Sequence, residues 1–405
     1  MSSKSFQTLA ATLGMTSDTQ FGAVTPPLHL STNFTFDGLG RRREYDNSRS
    51  GNPTRDLLAD AIAKLENGYG AIVTSSGMSA LTLLTHILPP QAHVLAPHDC
   101  FGGTHRLLTA LEKKGVLSVS FIDFSDLKEL ERDLIQGADL VLVESPSNPL
   151  LRIVDLKKIG DLCKEHDTLY AVDNTFLSPA LQRPIELGAN LVIHSTTKYL
   201  NGHSDVVGGA IVADTQDLHS QLTWWANCTG LTGTPFDSYL TLRGIRTLFA
   251  RMRTHLENSA KLVNLLTQHP AVKKVYYPGL ESHPGHHLAK EQQSGFGAVI
   301  SFEVQGGIDQ VKVLLEHLKL FTLAESLGGV ESLVAHPATM THASMTAEAR
   351  KRAGISDQLL RLSVGIEDGD DLLRDLKKSL DEVQNSRIKL NQAAAKDGLL
   401  PMGLI

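Results

Sequence analysis

Between Gly70 and Lys198 the chain repeats one pattern: a short apolar run, a polar turn, then an amphipathic stretch. "GAIVTSSGMSALTLLTHIL" reads as strand, small-residue turn and helix. "HVLAPHDC" precedes the helical "THRLLTALEKKG", and "LSVSFIDF" follows it. "ADLVLVESPSNP", "TLYAVDNTF" and "ANLVIHSTTK" are three further strands, with the helical "DLKKIGDLCKEH" between the first two. Near-continuous apolar strands alternating with helices dictate an α/β fold, a mostly parallel sheet covered on both faces. Ligands of such sheets gather at the carboxyl ends of the strands, so the polar residues just past each strand are where chemistry belongs.

The flanking segments have a different texture. Residues 1–60 include "AVTPPLHLSTNFTF" and "YDNSRSGNPT", which are rich in turn residues and lack helical periodicity. They read as an extended arm, and so long a segment implies a task such as reaching a neighbouring subunit. Residues 61–250 form the main domain. Residues 251–405 open on a long helical pattern and contain "AVISFEVQG" and "LLRLSVGIE", strands of a smaller C-terminal α+β domain.

Composition excludes several classes. A net charge of −6 with no long block of one sign argues against a nucleic-acid surface. No run approaches the roughly 20 apolar residues that cross a bilayer, and the N-terminus lacks a secretory core, so a soluble cytoplasmic protein is expected. Three scattered cysteines make neither a disulfide framework nor a zinc site. "HPGHH" (283–287) and "AHPATMTHAS" lack a catalytic metal spacing; they read as surface or substrate-channel histidines, and no metal is expected.

Three strand ends carry the chemistry. Ser75, Ser76, Gly77 and Met78 stand before a helix, where amide groups and the helix terminus favour an anion; the same turn also serves as a plain connection. Asp173 ends an apolar strand, where it either caps a turn or holds a ring nitrogen protonated. Lys198 follows a third strand; near buried surface its amine becomes a nucleophile toward an aldehyde, whereas on an open loop it is merely solvated. Ser195 and Thr197 beside it can donate to a phosphate. Pyridoxal phosphate (PLP) is the cofactor that uses all three ends, and glycine-rich dinucleotide and Walker motifs are absent.

The wording then becomes specific. "HSTTKYLNGHSDVVGG", "VESPSNPLLRIVDL", "AVDNTFLSPALQRPIELGA", "SGNPTR" and "SLGGVESL" resemble the Cys/Met-metabolism family of PLP enzymes from about Phe6 to about Val383. The resemblance implies an aspartate-aminotransferase-like (fold type I) architecture and a homotetramer, a dimer of dimers with sites shared between subunits. It makes Lys198 the Schiff-base and catalytic lysine, and Asp173 the partner of the pyridine nitrogen. Gly77, Met78, Ser195 and Thr197 would hold the phosphate, and Arg49 the phosphate of the neighbouring subunit. Arg361 would grip the substrate α-carboxylate, assisted by Ser326 and Asn148. Glu325 would face the amino group of an amino-acid substrate, and Arg106 a distal carboxylate.

Three positions depart from the family. Asn47 and Phe101 stand where tyrosines are usual, and Ser50 where synthases for succinylated substrates often have arginine. Phe101 can stack on the cofactor ring but lacks a phenol for proton transfer near the leaving group. "WWAN" and "LFTLAESLGGVESL" point to the synthase branch, in which an O-acyl-L-homoserine and L-cysteine give L-cystathionine for methionine biosynthesis. Ser50 and "THASMT" lean toward the γ-lyase branch, which cleaves cystathionine. Gly103 disfavours a methionine γ-lyase, which carries cysteine there. A PLP-binding protein with little catalysis is the alternative from another class. Trp224 and Trp225 read as packing residues.

Overall fold

Apolar strands set out the first of two units. A computed structural model of the chain describes residues 4–343 and 345–396. The first unit comprises residues up to 148, 152–252 and 284–296; the second comprises 149–151, 253–283 and 297 onward. The return of residues 284–296 to the first unit rests on side-chain contacts distant in sequence. Gln292, for example, takes the Leu156 amide and donates to the Val154 carbonyl.

The first unit holds seven strands: β1 Gly70–Thr74, β2 Ala92–Pro97, β3 Leu117–Ile122, β4 Leu140–Glu144, β5 Leu169–Asp173, β6 Leu191–His194 and β7 Gly209–Ala213. Their order is β1-β7-β6-β5-β4-β2-β3. All neighbours are parallel except that β7 runs antiparallel to both β1 and β6. The carboxyl ends of β1 to β6 therefore share one edge. Alternate residues fill the two faces: Leu140, Leu142, Ala171, Leu191 and Ile193 join one buried cluster with Leu81, Leu84 and Leu222 of flanking helices. Val141, Val143, Tyr170, Val172 and Val192 are buried on the other face, where the Tyr170 hydroxyl donates to the Leu156 carbonyl at 3.3 Å. Each fully buried Val or Leu contributes about 1.5–3 kcal/mol, which is why such strands read so plainly.

The arm is shorter than the sequence pattern suggests. A helix starts at Pro53 and runs to Glu66. Asn52 caps it, its side chain accepting the amides of Thr54 and Arg55, and Pro53 supplies a fixed φ at the first turn. "SGNPT" is thus a helix start written in turn residues. Before it, residues 4–52 carry one short helix, Phe6–Thr12, and two isolated bridges. Phe21, Val24, Leu30, Phe36 and Leu39 are exposed in the single chain.

In the second unit, β8 Val272–Tyr276, β9 Val299–Val304, β10 Thr322–Leu323, β11 Leu333–Ala335 and β12 Leu359–Ser363 are ordered β10-β11-β12-β9-β8. The sheet is antiparallel apart from the β10–β11 pair. A 28-residue helix, Gly369–Lys396, closes the described chain, taking in much of a terminal segment that carries no chemical signal in sequence. No helix among the described residues is long and apolar enough to cross a membrane.

Candidate active site

The connection from β6 to β7 needs no crossover helix, because the two strands are antiparallel neighbours. It is residues 195–208, and it carries Lys198. The Lys198 amide donates to the Ser195 carbonyl at 3.2 Å, and Gly202, at φ 72°, returns its amide to the Lys198 carbonyl at 2.7 Å. The backbone under the lysine is thus a closed turn. Buried Arg251 donates to the Tyr199 and Gly244 carbonyls, each at 2.9 Å, and pins that turn to the helix Pro235–Ile245.

From the turn, short contacts lead along the strand tips. The Ser195 amide donates to the Thr175 hydroxyl at 2.9 Å, and the Thr175 amide to Asp173 Oδ1 at 3.0 Å. Burial raises the Asp173 carboxyl above its usual range; the Thr175 bonds and the nearby His194 pull the other way. A desolvated carboxylate of this kind is stabilised by a cation placed against it, such as a protonated ring nitrogen.

Gly77 opens the helix Gly77–His86, and Ser76 caps it by accepting the Ser79 amide. The first-turn amides of Gly77 and Met78 are by geometry the donors a helix start offers to an anion. A side chain at position 77 would sit 2.9 Å from Ser195 Cβ, so glycine is what lets the helix start and the Ser195 turn meet. Gly103 is similarly placed between the Phe101 ring and the Met78 sulfur. Gly77, Met78, Phe101, Asp173, Ser195 and Lys198 therefore belong to one edge of one unit.

Other expected residues are placed differently. The Thr197 hydroxyl donates to the Gly208 carbonyl at 3.2 Å and accepts the Gly208 amide at 3.0 Å, so its proton already has an acceptor. Arg49 is exposed and donates to the Asn227 carbonyl of its own chain at 2.8 Å. Arg106 is exposed on the helix Gly102–Lys113. In the second unit, buried Arg361 on β12 donates to the Ser326 carbonyl at 2.7 Å, Ser326 adopts a positive φ of 85°, and Glu325 is exposed.

Two groups escape the sequence reading. Glu144, at the tip of β4, accepts the amides of Phe101 and Asn148. Glu66, fully buried, accepts from His194 Nε2 at 2.6 Å and Asn174 at 2.8 Å. A charged residue closing an apolar strand was the available signal for Glu144; none marks Glu66. Some of the histidines also differ from expectation, although His287 is exposed. His336 is buried with Nδ1 on Thr339 and Nε2 on the Asp357 carbonyl, and His286 is buried against Phe296. Among the described residues no histidine, cysteine and carboxylate cluster could hold a metal; Ser344 of "THASMT" lies outside them.

A helix start, a desolvated carboxylate, an aromatic side chain and an amine on one edge fit PLP, and comparison with known proteins agrees. Residues 7–381 match the model of the Cys/Met metabolism PLP-dependent enzymes, and the chain belongs to that family. It is 53% identical to cystathionine gamma-synthase of Escherichia coli K12 over 91% of this chain and 96% of that one. It is 46% identical to cystathionine gamma-lyase of Dictyostelium discoideum over 91% of this chain and 96% of that one. Cystathionine gamma synthase of Xanthomonas oryzae pv. oryzae, solved in complex with aminoacrylate and cysteine, superposes with a TM-score of 0.93 at 56% identity, covering 95% and 99% of the two chains. The protein is thus a PLP-dependent enzyme of fold type I.

Proposed function

We propose that the enzyme catalyses γ-replacement: O-acyl-L-homoserine plus L-cysteine gives L-cystathionine and the free acid. The supporting observation is the 53% and 56% identity with two synthases at nearly full coverage of each chain. The bound cofactor supplies an electron sink for charge developing at the substrate α-carbon. Lys198 Nζ takes the α-proton as general base and returns it at the end. Asp173 keeps the ring nitrogen protonated, and Gly77, Met78 and Ser195 bind the phosphate. Phe101 covers the ring face and excludes water. Arg361, with Ser326 and Asn148, orients the substrate by its α-carboxylate, since a guanidinium fork matches that planar anion. Thr197 reaches the phosphate by exchanging its bond to Gly208. Glu325 faces the amino group of the incoming cysteine, and Arg106 a distal carboxylate.

Incubation with O-succinyl- or O-acetyl-homoserine and cysteine, and separately with cystathionine alone, tests the assignment. Cystathionine should accumulate in the first and be consumed much more slowly in the second. The reverse ratio, with cysteine and 2-oxobutanoate as the products, would establish the γ-lyase reading that Ser50 favours; no turnover in either would overturn the assignment.

The arm gives the quaternary proposal. Its exposed Phe21, Leu30, Phe36 and Leu39 need cover, and Arg49 follows them in sequence. We place the protein in the cytoplasm as a homotetramer in which Arg49 completes the phosphate site of a neighbour. Mixing Arg49→Ala with Lys198→Ala subunits should then restore activity that neither variant has alone, because some sites receive both native residues. No recovery in mixed oligomers confirmed by mass would rule the sharing out.

A further inference from the structure

Glu144 is a carboxylate kept where carboxylates are costly. It ends β4 and lies in register with Asp173 of β5, so two acidic side chains stand on adjacent strand tips. Burial pushes the Glu144 carboxyl well above its usual range, and the charge of Asp173 adds to this. Against that cost it makes two bonds of one kind: Oε2 accepts the Phe101 amide at 3.0 Å, and Oε1 accepts the Asn148 amide at 3.2 Å. The two amides belong to different loops, one after β2 and one after β4. Phe101 stands at the start of the helix Gly102–Lys113, where no side chain caps the helix.

We propose that Glu144 is a positioning residue whose two oxygens tether the ring-covering loop at Phe101 and the carboxylate-binding loop at Asn148 to one strand tip. The proposal rests on the PLP reading of this edge. It explains why glutamate stands there, since a carboxylate offers an acceptor to each amide at once. Glutamine offers one acceptor oxygen and turns an NH2 donor toward the other amide. Glu144→Gln must therefore release one tether while the fold and Asp173 are kept.

The test uses the PLP-loaded enzyme. With Glu144→Gln, losing a bond to a buried acceptor should raise cofactor dissociation, the KM for O-acyl-homoserine, or both, by about tenfold, with a smaller change in kcat. The visible circular dichroism of the bound cofactor should weaken as Phe101 loosens. A variant with native KM, dissociation rate and dichroism overturns the proposal, whatever its melting temperature. Should the variant not fold, amide hydrogen exchange on the wild type decides: the Phe101 and Asn148 amides should exchange slowly, and free exchange at either overturns it. A wild type that takes up no PLP would instead sink the underlying reading.

Discussion

Lys198→Ala should reduce turnover by at least about 10⁴-fold while leaving the fold intact. The side chain is assigned two duties, covalent attachment to the cofactor and proton transfer at the substrate α-carbon. General-base catalysis alone is worth about 10²–10⁴-fold, and losing the nucleophile adds to that. Stability should change little, because the turn is held by backbone bonds from Lys198 to Ser195 and from Gly202 to Lys198, with Arg251 fixing the Tyr199 carbonyl. Purified variant with native melting behaviour, no covalent cofactor on borohydride treatment and no measurable turnover is the expected result. A variant that kept its yellow absorbance and the wild-type rate would remove Lys198 from the mechanism.

That lysine was legible in sequence for a physical reason. The strands β4, β5 and β6 are buried on both faces, so each reads as an apolar run, and a charged group just past such a run stands out. Asp173 and Lys198 both stand there. What sequence hides is direction. "GGAIVAD" looks like any other core strand, yet β7 is antiparallel, because the connection before it carries no crossover helix. The start of the Pro53 helix is hidden too, since Asn and Pro serve turns and helix caps alike. Neighbouring residues on a helix point about 100° apart, and so the tryptophan pair divides: Trp225 packs against the core cluster, while Trp224 is 62% exposed.

The supporting shell was the least legible. Glu144 acts on the Phe101 amide from 43 positions away, and a backbone amide has no residue-type signature. The Gly208 carbonyl that accepts from the Thr197 hydroxyl is equally unmarked in sequence. Motif wording identifies what touches a ligand; the bonds that hold those residues in place follow from which strand tips adjoin in the sheet order β6-β5-β4-β2.

The largest stability effect is expected from one such hidden group. Glu66→Ala should lower unfolding stability by about 3–5 kcal/mol, because each buried donor left without its acceptor costs about 1–3 kcal/mol and the emptied volume adds to that. Glu66 Oε1 receives both His194 Nε2 and the Asn174 side-chain amide. Asn174 in turn donates to the Gln182 carbonyl at 2.7 Å and accepts the Gln182 side-chain amide at 3.1 Å. All four residues are at most 2% exposed, so no water replaces the lost acceptor. Truncation strands two donors in the core and leaves a cavity besides. Glu66→Gln keeps the volume and one acceptor oxygen and should lose much less. The check is urea unfolding of the PLP-loaded proteins: an earlier midpoint at unchanged slope reports lost stability rather than an altered end state. Because His194 and Asn174 adjoin Ser195 and Asp173 in sequence, the alanine variant should also release its cofactor faster. An alanine variant that unfolds with the wild type would mean that this buried network holds nothing together.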